Sequence, residues 1–165
     1  MTGRPARSLP AAKLRRGRIG DLDALVELER AVFTTDVVSR RSFRRFLTAS
    51  SATLLVAESA GQLAGYVLVL YPRRSKLARL YSIAVAPHLG RRGLGPLLLA
   101  AAEQAARRRG RLVMRLEVRE RNRRAIARYK KTGYRLFGRH QAYYDDRADA
   151  LRFDKPLVEE PRQRS

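Results

Sequence analysis

Residues 111–134 read RLVMRLEVRERNRRAIARYKKTGY, and the period of the pattern changes inside them. Leu112, Met114, Leu116 and Val118 alternate with Val113, Arg115, Glu117 and Arg119. That period of two belongs to a strand with one apolar face. Glu117 falls on the other face, between two arginines. From Asn122 the spacing becomes helical. Asn122 is a residue type that caps helices, Ala125 and Tyr129 lie four apart on one face, and Gly133 ends the run. One carboxylate, one amide and one phenol are thus carried to one end of a strand-to-helix unit. Each alone has an ordinary use: a salt-bridged surface glutamate, a helix cap, a tyrosine packed on a sheet.

Upstream, residues 85–99 read VAPHLGRRGLGPLLL and join another strand to another helix. Gly93 and Gly95 lack Cβ atoms, so the backbone there can approach a ligand and aim its N–H groups at one point. The helix N-terminus that follows adds positive partial charge, and Arg91 and Arg92 suit phosphate oxygens. The turn is a pyrophosphate cradle in principle and a plain strand-to-helix connection otherwise. A dinucleotide fingerprint is excluded by the glycine spacing of Gly90, Gly93 and Gly95, and a P-loop by the missing Gly-Lys-Ser/Thr. Pro96 fits the first helical position, which offers no N–H there.

The remaining pattern predicts a basic strand at 13–19, a helix capped by Asp21 and running to Phe33, and a short helix starting at Ser39 or Ser42. The first helix carries a stripe of Leu22, Leu25, Val26, Leu28, Glu29 and Val32. Strands follow at 53–58, 63–71 and 77–85, the first two forming a hairpin through Ala60, Gly61 and Gln62. A helix over 96–109 presents Leu97, Leu98, Ala101, Ala102 and Ala105 and stops at Gly110. Strands at 112–118, 134–140 and 148–156 and the helix from 122 to 133 complete the chain. The order β-α-α-β-β-β-α-β-α-β-β predicts one α/β domain with a mixed central sheet of about seven strands and about four helices. Residues 1–12 read as a disordered basic tail, 13–157 as the domain and 158–165 as a polar tail.

The 165 residues suit one domain, and no apolar run approaches the ~20 residues a membrane-spanning helix needs. The N-terminal stretch lacks the apolar segment of a secretory signal. We therefore expect a soluble, cytoplasmic protein. Having no cysteine, the chain has no disulfide, thiolate nucleophile or thiolate metal site, and His88 and His140 are too few for most metal centres. The net charge is +21, with five lysines among 36 basic residues. Such a field attracts polyanions, including RNA or a phosphorylated cofactor, although an arginine-biased composition accounts for it equally.

At this point the residues resemble the GNAT (Gcn5-related N-acetyltransferase) superfamily, and within it the RimI-like protein N-terminal acetyltransferases. The likeness covers about 13–157. It rests on LYSIAVAPHLGRRGLGPLLL, on LEVRERNRRAIARYKKTGY, the more specific motif, and on YYDDRADALRFDKPL. The resemblance implies an acetyl-CoA-dependent enzyme without a metal. It implies that Ile83, Ala84 and Val85 pair with the pantetheine arm, that Arg91, Arg92, Gly93, Leu94, Gly95 and the Pro96 position bind pyrophosphate, and that Asn122 contacts the cofactor. Glu117 is then the base, Tyr129 the acid toward the departing thiolate, and Tyr143 and Tyr144 hold the acceptor peptide. Two departures stand out: Gly90 where the family usually has Gln or Arg, and the donor lost at Pro96. The acceptor expected is a protein or peptide N-terminus, with a small-molecule amine as the alternative and an RNA- or ribosome-binding module with a degenerate cofactor site as the second. Amine basicity favours the first. An α-amine titrates near ~7.7–8.0 and a lysine near ~10.4, so one glutamate suits the α-amine better.

Overall fold

The computed structural model describes residues 12–89 and 93–158. Expectations for residues 1–11, for Arg91 and Arg92, and for 159–165 lie outside the described residues. The elements are β1 (Lys13–Arg16), α1 (Leu22–Val32), α2 (Arg40–Thr48), β2 (Ala52–Ser59), β3 (Gln62–Leu70), β4 (Leu77–Val85), α3 (Leu94–Arg108), β5 (Val113–Arg119), α4 (Arg123–Lys131), β6 (Arg135–His140) and β7 (Ala150–Pro156). Their order is the predicted one. The strands form one mixed sheet in the order β1-β2-β3-β4-β5-β7-β6. No helix among the described residues is long and apolar enough to cross a membrane.

Alternation on β3 explains the layers. Val67 and Val69 face a core built with Leu98, Leu99, Ala102 and Ala106 of α3, while Tyr66 and Leu68 face Leu25 and Leu28 of α1 and Phe43 of α2. α1 and α2 thus cover one face of the sheet and α3 the other.

Four local expectations need correction. β1 ends at Arg16, because Gly17 leaves the ladder and donates only to the Leu54 carbonyl at 2.8 Å. Asp21 does not cap α1 through its side chain; it accepts from the Arg18 N–H at 2.8 Å and from both Nη atoms of Arg15 at 2.8 Å. A short 3-10 turn, Ile19–Asp21, therefore precedes α1. α3 begins at Leu94 after left-handed Gly93 (φ 73°), so Pro96 is its third residue, not its first. With the helix started there, Leu97 points outward (44% exposed), and Leu94 and Ala106 join the packed face.

The topology leaves one opening. β4 and β5 are parallel neighbours paired only from Leu77–Val113 to Arg79–Arg115. Beyond Arg79 they diverge. At the same point the β3–β4 register slips, Val69 opposing Leu80 and Leu68 opposing Ser82, so Tyr81 is an inserted residue. Such a bulge bends its strand and increases its twist. A gap between the carboxyl ends of adjacent parallel strands is where open α/β sheets take their ligands.

Candidate active site

A cleft of about 410 Å³ fills this gap, within the volume range of small-molecule sites. Its walls are β4 from Leu80 to Val85, β5 from Leu116 to Arg119, the start of α4 and the end of α1. Ala86 N–H donates to the Ala64 carbonyl at 2.8 Å. By the alternation of an antiparallel ladder, Ile83 and Val85 turn their N–H and C=O to the other edge, where β5 has left. They present unpaired backbone to the cleft, as a partner strand would.

Glu117, Asn122, Tyr129 and Tyr144 line the same cleft, together with Ile83, Ala84 and Val85. Glu117 is held differently from its sequence expectation. Its Oε2 lies 3.2 Å from Arg79 Nη2 and its Oε1 3.6 Å from Arg152 Nε, and its side chain is 10% exposed. The sequence neighbours go elsewhere: Arg115 pairs with Asp154 at 3.7 Å, and Arg119 with Asp36 at 2.9 Å and Asp146 at 2.8 Å. β5 lies between β4 and β7, and these adjacent strands supply the guanidiniums that reach Glu117.

Asn122 caps α4 as expected, its Oδ1 accepting from Ala125 N–H at 3.2 Å, and it lies at the cleft mouth. Tyr129 is buried, and burial pushes its phenol up to about 12, with the Arg128 charge pulling the other way. Tyr143 does not line the cleft. Its hydroxyl accepts from Arg79 Nη2, so it props the guanidinium that holds Glu117. Tyr144 stacks edge-on to Tyr143 at 5.0 Å and lies under Arg119, whose guanidinium is 4.2 Å from its ring. Burial raises the Tyr144 phenol to about 12.

The glycine turn is described from Gly93. Gly93, Leu94 and Gly95 open α3, where the first N–H groups of a helix have no internal partners. The Arg128 guanidinium of α4 packs there: a Cβ on Gly95 would meet Arg128 Nη1 at 2.7 Å. Neither Arg128 nor Glu29 and Ser82, which also line the cleft, was singled out as a site residue from the sequence. In the sequence Glu29 is one member of a helical stripe. Burial of a carboxylate on an apolar stripe is the signal that distinguishes it.

These features agree with outside likeness. A model of the acetyltransferase (GNAT) family matches residues 22–134. The chain belongs to that family. It is 31% identical over 141 residues to a Bacillus subtilis protein named for ribosomal protein bS18-alanine N-acetyltransferase activity, covering 85% of this chain and 92% of that one. It is 30% identical over 156 residues to the N-alpha-acetyltransferase of Sulfurisphaera tokodaii, covering 88% and 93%. The ribosomal-protein-S18-alanine N-acetyltransferase structure from Escherichia coli superposes with a TM-score of 0.81 at 25% identity, covering 94% of this chain and 99% of that one. This GNAT chain is therefore an acetyltransferase with the expected single mixed-sheet domain.

Proposed function

We propose that this acetyltransferase acetylates the α-amine of a protein or peptide N-terminus. The observation that carries the reading is that Glu117 and Tyr129 face one gap between splayed β4 and β5. The relatives named for protein N-terminal acetylation support the choice of acceptor. Acetyl-CoA would supply an acetyl thioester.

The residues fit that group. Ile83 and Val85 offer strand-like N–H and C=O to an amide-bearing arm, and Asn122 stands at its edge. Gly93, Leu94 and Gly95 offer helix N-terminal N–H groups to a pyrophosphate, and Arg128 adds a cation beside them. Arg128 offsets the donor missing at Pro96 and the side chain missing at Gly90. Arg91 and Arg92 are proposed to contact the same phosphates.

Glu117 takes the amine's proton, through water, and Val85 N–H polarises the carbonyl under attack. Tyr129 holds its proton at neutral pH and donates a hydrogen bond to the sulfur as charge develops there. Full transfer from a phenol near 12 to a thiolate whose thiol titrates near ~8.5 is uphill by about 5 kcal/mol. The role is thus charge stabilisation more than complete protonation. Tyr144 flanks the acceptor's path and Tyr143 acts through Arg79. The excess positive charge also suits a polyanion such as RNA or the ribosome, an association that salt-dependent binding tests. The cytoplasm is the compartment we assign.

The test is acetyl-CoA consumption over α-amine peptides, lysine peptides and small amines. We expect the α-amine peptides to react fastest and Glu117→Gln to lower kcat/KM by about 10²-fold or more. A small amine outpacing every peptide would move the acceptor class. Wild-type rates in both Glu117→Gln and Tyr129→Phe would refute the catalytic assignment.

A further inference from the structure

The wall of the cleft opposite α4 ends in a buried carboxylate. Glu29 of α1 is 1% exposed, yet it borders the cleft beside Ser82 of β4. Its Oε1 accepts the Val38 N–H at 3.0 Å, and its Oε2 accepts the Tyr66 hydroxyl at 2.5 Å. The Tyr66 oxygen lies 2.7 Å from Ser82 Oγ. Tyr66 is fully buried, and burial, then the Glu29 charge, push its phenol far up, so it keeps its proton. Burial also raises the Glu29 carboxyl, while the two donors aimed at it favour the charged form.

With Glu29 ionised, the form that the Val38 N–H and the Tyr66 hydroxyl both favour, counting protons gives the chain a direction. A phenol has one proton, and Tyr66 places it on Glu29. The Tyr66 oxygen can then only accept, so the Ser82 proton points to Tyr66. What Ser82 has left for the cleft is lone pairs. We infer that Ser82 is a recognition residue that accepts an N–H of the acceptor amine, and that Glu29 and Tyr66 are positioning residues that hold it in that polarity. The wall then favours a hydrogen-bond donor, as an amine is, and disfavours a carboxylate or carbonyl. Glu29 also ties the segment after α1 to the sheet through Val38, so the same carboxylate orders that border of the acceptor side.

This inference rests on the acetyltransferase reading above, and kinetics separate the two. The probe is a peptide with an N-terminal alanine, with acetyl-CoA as donor. Glu29→Gln keeps size and an oxygen for Val38, but its amide N–H turns the Tyr66 and Ser82 protons toward the cleft. Glu29→Gln and Ser82→Ala should each raise the peptide KM about five- to tenfold, the scale of one net hydrogen bond. The KM for acetyl-CoA should stay within about twofold. In the double variant the effects should not multiply, because both act through one hydroxyl. An unchanged peptide KM, multiplied effects, or an equal rise in the acetyl-CoA KM overturns the inference. If Glu29→Gln does not fold, Tyr66→Phe takes its place in the same cycle, with the same expected and overturning results. Proton NMR reads the chain without turnover: the Tyr66 hydroxyl signal, identified by its loss in Tyr66→Phe, should move in Glu29→Gln, and a fixed signal overturns the proposed polarity. A wild type that acetylates no amine instead refutes the acetyltransfer reading, and with it the ligand assigned to Ser82.

Discussion

At the residue scale, alternation along β5 correctly put Glu117 on the face away from α3, because a strand's side-chain period is a local property. Its true partners, Arg79 and Arg152, were not legible, because they depend on which strands flank β5. Tyr129 gives a pH prediction. Its folded pKa is raised to about 12, so the phenolic donor is present below that value and lost only above it. With an α-amine acceptor, kcat/KM should climb to about pH 8 as the amine deprotonates and then hold level to about pH 10. A falling limb near pH 9 in the rate profile would deny Tyr129 the donor role. Gly95 gives a second prediction. A Cβ there meets only the movable tip of Arg128, so Gly95→Ala should change stability by less than about 1 kcal/mol. It should raise the KM for acetyl-CoA several-fold by displacing that guanidinium, and a normal KM would remove Arg128 from the phosphate site.

At the scale of elements, the order and type of every strand and α-helix could be read from period and punctuation, whereas the ends and the 3-10 turn before α1 could not. The start of α3 shows why. Pro96 is acceptable anywhere in the first turn, since no N–H there has an internal partner, so proline alone does not say which of those positions it holds. Asp21 was misread for a related reason: a carboxylate before an apolar helical run looks like a cap until a distant arginine, Arg15, claims it. The family likeness implies that Ile83, Ala84 and Val85 pair with a cofactor arm, and so that this edge of β4 is free of β5; no local pattern of the residues shows it. Divergence begins where the bulge at Tyr81 bends β4, a feature of strand pairing and not of local sequence. One glycine holds this region close. A Cβ on Gly65 of β3 would stand 2.8 Å from the Ala84 carbonyl of β4 and 3.0 Å from Leu98. Backbone cannot yield there as a side-chain tip can. Gly65→Ala should cost about 1–3 kcal/mol in denaturant unfolding and lower activity by shifting β4. A stability equal to wild type would mean that the β3–β4 contact is looser than it stands.

For the whole molecule, net charge sets how stability and ligand binding respond to salt. With 36 basic and 15 acidic residues the formal charge is +21, so positive charge stays in large excess however the pairs are drawn. Exposed ion pairs such as Arg139–Glu120 stabilise little, so salt weakens little by screening them. Self-repulsion among the surplus arginines acts over the whole surface and opposes the compact state. Raising NaCl from about 0.1 to about 1 M shortens the screening length from ~10 to ~3 Å, so the melting temperature should rise. The phosphate binding proposed for the α3 end would use the same field with the opposite sign, and the KM for acetyl-CoA should rise over the same range. Stability and cofactor affinity should therefore part company as salt is added. A melting temperature that falls with salt would mean that the ion pairs outweigh the surplus. A constant KM would mean that the arginine excess has no part in drawing the cofactor in.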